Sequence, residues 1–229
     1  MQAIPLVLGL VLAYLLGATP FGLLIVRVAT GQDVRRVHSG RTGGTNVARA
    51  AGVWAGLLTG LLDGLKGALA VWIVRGLAGG AYWFEAAAAA LAVLGHNYSV
   101  FLLEKSGSRL RLRGGAGGAT TVGAAIAMWT PSVLVIPLGV ATLLLIGYAS
   151  VATMSVGLFT TTAFLWRAIA GLGPWEYAAF GVAATGLLVY ALRPNIRRLV
   201  QGSERLVGLR AYLRNRRRRG RTPPPDGSG

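Results

Sequence analysis

Residues 56–72 read GLLTGLLDGLKGALAVW, an apolar run in which Asp63 and Lys66 are the only charged residues. The chain contains further runs of this kind, and together they cover residues 1–26, 50–73, 83–103 and most of 117–192. A helix of roughly 20 residues crosses the ~30 Å hydrocarbon layer of a bilayer. Because hydrocarbon offers no hydrogen-bond partner to the backbone, these runs predict transmembrane helices. They do not alternate in polarity, which argues against a membrane barrel.

The composition indicates the same class of protein. Of the 229 residues, 54% are hydrophobic and only 13% are charged, whereas a soluble domain carries about 25% charged residues. The chain has no cysteine, which excludes a disulfide framework, a cysteine nucleophile and a zinc–thiolate site. The first charged side chain is Arg27, at the end of the first apolar run. We therefore expect a retained membrane helix there rather than a secretory signal peptide.

The net charge of +16 is compatible with nucleic-acid binding or with basic loops on a membrane protein. The arginines lie beside the apolar runs, and residues 193–221 hold 11 of them. This distribution is typical of the positive-inside rule, and anionic headgroups attract each such charge by about 1 kcal/mol. We expect membrane lipids, and no nucleic acid, as partners. Residues 1–213 are predicted to form the membrane domain, and residues 214–229 a basic, disordered tail.

Two basic segments set the predicted topology. Residues 30–49 carry four arginines against one acid, and residues 104–116 carry one lysine and three arginines against one acid. Both segments should be cytoplasmic. The chain between them, residues 50–103, must then cross the membrane twice, with a turn near 76–81, and the N-terminus lies outside.

Residues 117–192 also begin and end beside basic segments, so they hold an even number of spans. Their length fits four, with breaks near Pro131, Ser150 and 171–174, because proline interrupts a helix interior. The sequence thus predicts an all-α, polytopic membrane protein with seven transmembrane helices. One of them, at about 118–130, is short, and the C-terminus is cytoplasmic.

Charged residues inside a predicted span need an explanation, because each ionised group near the bilayer centre costs at least about 2.5–3.5 kcal/mol. Asp63 and Lys66 are three residues apart, which places them on one helix face where they can pair. They form either a self-neutralising pair near the membrane interface or one wall of an active site open to the cytoplasm. His96, late in the third span, is either a packing residue or a catalyst.

Two glycine-rich loops carry the strongest functional signal. Residues 33–49 read DVRRVHSGRTGGTNVAR, and residues 111–123 read RLRGGAGGATTVG. Glycine-rich backbone can point successive N–H groups at one anion, and arginine adds a planar donor fork for phosphate. The second loop leads into a predicted helix, whose N-terminus favours a bound phosphate. Both loops are predicted to lie on one membrane face, so together they indicate a phosphate site.

Taken in order, five segments resemble the motifs of the bacterial glycerol-3-phosphate acyltransferase family of the PlsY type. GATPFGLLI resembles the first-helix motif, and DVRRVHSGRTGGTNVAR resembles D-[IV]-R-x-x-G-S-G-N-x-G-A-T-N-x-x-R. LLDGLKGALA is similar to the D-x-x-K-G helix. GHNYSVFLLEKSGSRLRLRGGAGGATTVG is similar to G-H-x-x-x-x-F followed by G-G-K-G-x-A-T. NIRRLVQGSERLVG resembles the closing N-I-x-R-L-x-x-G-x-E.

The resemblance implies acyl transfer from an acyl phosphate to the 1-hydroxyl of glycerol 3-phosphate, giving 1-acylglycerol 3-phosphate for phospholipid biosynthesis. It also implies a multi-pass protein of the bacterial cell membrane whose active site faces the cytoplasm. No metal, cofactor or covalent acyl-enzyme is expected.

The family's functional residues carry over to this chain by position. The catalytic set would be Ser39, Arg49, Lys66 and His96. The substrate- and phosphate-binding set would be Gly40, Arg41, Gly43, Thr45, Asn46, Asp63, Arg113, Gly114, Gly115, Gly117, Thr120, Ser150 and Asn195.

The chain departs from the family pattern at several positions, among them Arg41, which stands where the family has an asparagine, and His38, which stands where it has a glycine. Ala116 stands where the family has a lysine, and Leu192 and Pro194 replace a histidine and a glutamate. We expect Arg41, Arg111 or Arg113 to supply the charge that Ala116 lacks. Two alternatives stay open: an acyltransferase with another polyol-phosphate acceptor, and a catalytically weak lipid- or phosphate-binding membrane protein. A transporter would show a repeat of spans, and none is visible.

Overall fold

The computed structural model describes residues 3–106 and 109–219, and most of them are helical. The first half of the chain forms α1 (Ala3–Ala18), α2 (Phe21–Thr30), a 3-10 turn (Val34–Arg36), α3 (Gly44–Ala51), α4 (Val53–Ala78), α5 (Tyr82–Asn97) and the strands β1 (Ser99–Ser106) and β2 (Arg109–Arg113). The second half forms α6 (Gly118–Met128), a 3-10 turn (Thr130–Leu134), α7 (Val135–Ile146), α8 (Ala149–Ile169), α9 (Trp175–Ala191), α10 (Arg193–Val200) and α11 (Gly208–Arg219).

Helix α4 lies at the centre of the bundle and packs against α1, α3, α5 and α6. Small residues make these contacts close. A Cβ atom added to Gly123 of α6 would lie 1.8 Å from the carbonyl oxygen of Gly64, and one added to Gly67 would lie 2.3 Å from that of Thr120. Such contacts between small residues are typical of helices packed in membranes. They hold one face of α4, with Asp63, inside the protein.

The predicted breaks between helices agree with the structure. Helices α4 and α5 are separated at Gly79, α6 and α7 by the turn that contains Pro131, and α8 and α9 near Gly171. The break predicted near Ser150 lies slightly earlier, at Gly147, whose φ of 83° ends α7. The reason in each case is local, because proline lacks an N–H group and glycine accepts left-handed backbone.

Three or four helical segments qualify as membrane spans by their length and hydropathy. Within residues 3–106 and 109–219, three segments are long and apolar enough to cross a bilayer: Ala3–Thr30, Val53–Ala78 and Ala149–Ile169. A fourth results if Trp175–Ala191 and Arg193–Val200, which are bent by 63°, count as one span. Helices α6 and α7 are apolar but shorter. The chain is thus a mostly helical membrane protein, and seven spans remain a prediction.

The all-α prediction is wrong at one place. Helix α5 ends at Asn97, so residues 83–103 are not one helix, and β1 and β2 form an antiparallel hairpin. Leu103 pairs with Leu112, and Glu104 pairs with Arg111. Leucine and arginine alternate along β2, a period of two that suits a strand with one apolar and one polar face.

The predicted boundary of the tail is also displaced. Helix α11 runs from Gly208 to Arg219, so residues 214–219 are helical rather than disordered. The backbone N–H of Val207 donates to the carbonyl oxygen of Gly147 at 2.8 Å, which fixes the start of α11 beside the end of α7. Leucine, alanine and arginine are good helix formers, which explains why this segment is helical. Disorder of residues 220–229 is a prediction that lies outside the described residues.

Candidate active site

The two glycine-rich loops meet in the structure at one cavity of about 250 Å³. Helices α4, α5, α8 and α10 complete its wall. The predicted site residues that line it are Ser39, Arg41, Gly43, Thr45, Asn46, Arg49, Asp63, His96, Gly117, Ser150 and Asn195. The cavity is also lined by residues that were not predicted to belong to the site, among them Gly60, Thr153, Glu204 and Arg205.

The first loop is held in shape by Asn46, which is 3% exposed. Its amide nitrogen donates to the carbonyl oxygens of Val34, Val37 and Arg41 at 3.2, 2.9 and 2.9 Å. Its amide oxygen accepts from the backbone N–H of Ser39 at 3.4 Å. The side-chain amide is therefore occupied by the loop itself. Asn46 therefore positions the loop, and its direct contact with phosphate stays a prediction.

A chain of ion pairs fastens the first loop to the hairpin. Arg35 binds Asp33 at 2.6 Å and Glu104 at 3.2 Å, and Glu104 binds Arg113 at 2.9 Å. The hydrogen bonds from Arg35 lower the pKa of Asp33, because they favour its charged form. The loop is thus tied to β1 and β2 by ion pairs between charged side chains.

The second loop lies directly on the end of α5. The backbone N–H of Gly115 donates to the carbonyl oxygen of His96 at 3.0 Å. A Cβ atom at Gly115 would lie 2.0 Å from Nε2 of His96, and one at Gly114 would lie 2.1 Å from the carbonyl oxygen of His96. Only glycine fits at these two positions. Both glycines allow close packing on α5. Gly115 does not line the cavity, and its contact with phosphate stays a prediction.

Gly117 and Thr120, which follow in the chain, differ in whether they line the cavity. Gly117, with φ of 92°, ends the loop, precedes the first turn of α6 and lines the cavity. Thr120 is fully buried between α4 and α6 and does not line it. Gly117 belongs to the loop, whereas Thr120 lies within α6, where it contacts Gly67 of α4. Thr120 therefore packs against α4, and its contact with phosphate stays a prediction.

The floor of the cavity holds a buried polar cluster. Nζ of Lys66 lies 2.8 Å from Oδ1 of Asp63, and Nδ1 of His96 lies 3.5 Å from the same oxygen. Asp63 and His96 line the cavity, whereas Lys66 lies behind Asp63 and does not. Nζ of Lys66 also donates to the carbonyl oxygen of Thr19 at 2.9 Å, at the break between α1 and α2. Lys66 neutralises Asp63 and holds the break between α1 and α2 in place, and its catalytic role stays a prediction.

The C-terminal wall is organised by Glu204. Its Oε1 accepts from Nδ2 of Asn195 at 2.8 Å and from the hydroxyl of Ser150 at 3.4 Å, and its Oε2 binds Arg198 at 2.7 Å. The next residue, Arg205, lies 3.2 Å from Nδ1 of His38 in the first loop. Sequence reasoning missed Glu204 and Arg205 as site residues, although both lie in the segment NIRRLVQGSER that carries the closing motif.

Arginine gives the cavity its positive character. Nη1 of Arg41 donates to the carbonyl oxygen of Gly115 at 3.2 Å, and its Nη2 donates to that of Ala191. Burial lowers the pKa of Arg41 and of Arg49, and nearby Arg205 lowers that of Arg49 further. Arginine is protonated in proteins at neutral pH, so both side chains carry positive charge. The arrangement suits a phosphate group.

Gly40, Arg113 and Gly114 line a second cavity of about 410 Å³ on the other side of Arg41. It shares Ser39, Arg41 and Asn195 with the first cavity. The predicted second-loop residues are thereby divided: Gly117 lines the first cavity, and Arg113 and Gly114 line the second.

Comparisons with known proteins agree with this geometry. Residues 7–202 match the family model described as glycerol-3-phosphate acyltransferase. The chain is 39% identical over 211 residues to a glycerol-3-phosphate acyltransferase of Thermus thermophilus, covering 90% of this chain and 96% of that protein. It is 40% identical over 210 residues to a glycerol-3-phosphate acyltransferase of Rubrobacter xylanophilus, with coverage of 90% and 96%.

Two solved structures have the same fold. The crystal structure of PlsY, an integral membrane glycerol 3-phosphate acyltransferase, in its glycerol 3-phosphate form, superposes with a TM-score of 0.77 at 31% identity. The lysophosphatidic acid form gives a TM-score of 0.74 at 29% identity. Each comparison covers 91% of this chain and 98% of the PlsY chain.

Proposed function

The chain belongs to the glycerol-3-phosphate acyltransferase family, and on that premise we propose that it acylates the 1-hydroxyl of glycerol 3-phosphate with an acyl phosphate. The product is 1-acylglycerol 3-phosphate, which enters phospholipid synthesis. Family membership makes the chain a membrane acyltransferase that acts on glycerol 3-phosphate. The acyl-phosphate donor, the residue roles and the membrane orientation are our proposals.

One observation supports the site assignment most strongly. Arg49 from the first loop, Gly117 from the second loop and Asn195 from α10 are far apart in sequence, yet they line one cavity. The cavity also adjoins the buried polar face of α4, a helix long enough to span a bilayer. A phosphorylated substrate with an apolar chain needs such a place, where cationic groups and a lipid-facing bundle lie side by side.

The proposed acyl transfer needs no reactant besides the acyl phosphate and glycerol 3-phosphate. The oxygen of the substrate hydroxyl forms a bond to the acyl carbonyl carbon, and the bond from that carbon to the phosphate oxygen breaks. The hydroxyl proton and the released phosphate leave together as hydrogen phosphate. Because phosphate is already a good leaving group, alignment of the two substrates is the main requirement, and it can supply about 7–11 kcal/mol of the barrier.

The residue roles follow from position in the cavity. We assign Arg49, Arg205 and the hydroxyl of Ser39 to the phosphate of glycerol 3-phosphate, since a guanidinium binds phosphate through two parallel hydrogen bonds. Charge that develops on the carbonyl oxygen would be stabilised by the backbone N–H groups at the start of α6, after Gly117. The His96 and Asp63 pair forms the polar floor beneath the reacting groups.

The charge missing at Ala116 has a replacement nearby. Nη1 of Arg41 lies 3.2 Å from the carbonyl oxygen of Gly115, the residue before Ala116. Arg111 and Arg113, the other two candidates, line only the second cavity. We therefore assign this charge to Arg41.

The proposed orientation places the N-terminus outside and the C-terminus and both loops in the cytoplasm, with seven spans. The basic loops and the arginine-rich C-terminal segment support it through the positive-inside rule. Water-soluble glycerol 3-phosphate would then reach the cavity from the cytoplasm, and the acyl chain would remain in the membrane of the bacterial cell.

The proposal is tested with purified protein, palmitoyl phosphate and radiolabelled glycerol 3-phosphate. We expect the label in 1-acylglycerol 3-phosphate, with one phosphate released for each acyl group transferred. Other polyol phosphates, offered as acceptors under the same conditions, should react far more slowly. If folded protein neither transfers the acyl group nor consumes palmitoyl phosphate, the enzymatic proposal is wrong and a binding role is favoured.

A further inference from the structure

The second cavity has no role in the proposed reaction. It lies between β2, the first loop and the junction of α9 with α10, and it has a volume of about 410 Å³. Five arginines line it, namely Arg41, Arg111, Arg113, Arg193 and Arg198, and none of its lining residues is acidic. This is a larger positive charge than the first cavity holds.

Only part of that charge is neutralised by the protein. Arg113 binds Glu104 at 2.9 Å, and Arg198 binds Glu204 at 2.7 Å. Within residues 3–106 and 109–219, no carboxylate forms an ion pair with Arg41, Arg111 or Arg193. Three guanidinium groups thus face one cavity without a carboxylate. Grouped like charges repel each other, and a bound anion relieves the repulsion.

Part of the wall is fixed before any ligand binds. The guanidinium of Arg193 stacks 3.4 Å from the centroid of the Tyr190 ring, and its Nε donates to the carbonyl oxygen of Tyr190 at 3.0 Å. The Tyr190 ring packs edge-on against Tyr98, with 6.1 Å between centroids. Stacking and one hydrogen bond restrict the rotation of Arg193, so less entropy is lost when it binds a ligand.

We propose that the second cavity is a separate binding site for a phosphate group, either free phosphate or the phosphate of a monoester. A phosphate dianion offers the charge and the planar pairs of oxygens that guanidinium groups bind. Because Arg41 lines both cavities, a ligand in the second cavity competes for its N–H donors. Phosphate in this site therefore weakens, without excluding, the binding of glycerol 3-phosphate in the first cavity. This last consequence rests on the proposed function, whereas the site itself does not.

The site is tested by binding, without reference to activity. Inorganic phosphate is titrated into the full chain in neutral detergent at low ionic strength and followed by calorimetry. We expect two sites. The double variant Arg111→Gln/Arg193→Gln should weaken phosphate binding at the second site by about a hundredfold or more and leave the first site unchanged, because each lost charge-assisted hydrogen bond weakens binding by about tenfold or more. Arg49→Gln should weaken phosphate binding at the first site and leave the second site unchanged.

The control is Arg197→Gln, which removes an exposed arginine of the same helix, α10, that lines neither cavity. It should leave both sites unchanged. A single phosphate site that only Arg49→Gln removes would overturn the proposal. So would an equal loss in Arg197→Gln, since that would indicate a general effect of net charge. Thermal unfolding of each variant shows that it is folded.

The source of the phosphate group is resolved in a second titration. With glycerol 3-phosphate saturating the first cavity, an alkyl phosphate monoester is added in place of phosphate. Binding that is weakened by Arg111→Gln/Arg193→Gln assigns the site to a phosphate monoester. Binding that is unaffected, while inorganic phosphate binding is weakened, assigns it to free phosphate. If the double variant alters neither ligand's binding, the proposal fails even where acyl transfer is demonstrated.

Discussion

The guanidinium of Arg41 donates a hydrogen bond to the carbonyl oxygen of Gly115, 3.2 Å away and 74 residues along the chain. This contact joins the two glycine-rich loops at the boundary between the two cavities. A second hydrogen bond from Arg41, to the carbonyl oxygen of Ala191, adds the end of α9 to the same junction. Arg41 therefore both holds the loops together and supplies charge to the site.

Replacing Arg41 with glutamine should lower kcat/KM by about tenfold or more, because a charge-assisted hydrogen bond contributes about 1.5–3 kcal/mol. Arg41→Lys should have a kcat/KM almost as low as that of Arg41→Gln, since lysine lacks the planar donor fork that reaches two carbonyl oxygens. Steady-state kinetics against glycerol 3-phosphate measures both. Arg36→Gln, in the same loop but exposed and outside both cavities, is the matched control. A fully active Arg41→Gln enzyme would contradict this role.

Asn46 is expected to act through stability. Asn46→Ala removes three hydrogen bonds to loop carbonyls, and each buried group left without a partner costs about 1–3 kcal/mol. The variant should therefore unfold at a temperature several degrees lower and lose activity together with loop structure. Thermal unfolding in detergent, alongside KM, measures this. A raised KM with unchanged unfolding would instead indicate a direct phosphate contact.

The buried pair of Asp63 and Lys66 should show strong coupling. Their side chains are each 3% exposed, so removing one partner leaves an uncompensated buried charge, at a cost of about 3–5 kcal/mol. The loss of stability in the double variant should therefore be smaller than the sum of the losses in the single variants Asp63→Asn and Lys66→Met. A double-mutant cycle on the free energy of unfolding measures the coupling. Additive effects would show that the pair contributes nothing.

Gly115 should not tolerate a side chain. A Cβ atom there would lie 2.0 Å from Nε2 of His96, so Gly115→Ala must displace either the loop or the histidine ring. We expect a loss of acyl transfer of about a hundredfold, as is usual when catalytic groups are misplaced by about 1 Å. Gly76→Ala in α4 is the control, because nothing lies within 4 Å of a Cβ atom at that position. Equal activity of the two variants would refute the close contact.

Much of the fold is predictable from local signals, and the reasons differ among elements. Pro131 and the glycine–proline turn after α8 interrupt helices through their own backbone chemistry, so those breaks are visible in sequence. The hairpin was missed because Val100 to Leu103 continue the apolar run of α5, and hydrophobicity does not distinguish a strand from a helix over four residues. The helical start of the tail was missed because high charge suggests disorder.

The site was predictable as a set of segments, while the role of each residue depended on packing. The glycine and arginine content of the two loops identified the cavity. Lys66 and Thr120 were assigned to it because the sequence does not show which face of α4 or α6 meets a neighbouring helix. Glu204 was overlooked because a carboxylate is unexpected in a phosphate site. The structure shows that it orients Asn195 and Ser150.

The central claim is that the two loops form one phosphate-binding active site, and Arg49 tests it most directly. Purified wild-type protein and Arg49→Gln are compared in the rate of acyl transfer from palmitoyl phosphate to radiolabelled glycerol 3-phosphate, with unfolding temperatures recorded for both. The wild type should form 1-acylglycerol 3-phosphate, and Arg49→Gln should be slower by about a hundredfold, as for the loss of a charged hydrogen bond near its upper magnitude. Equal rates in two folded proteins would contradict the account.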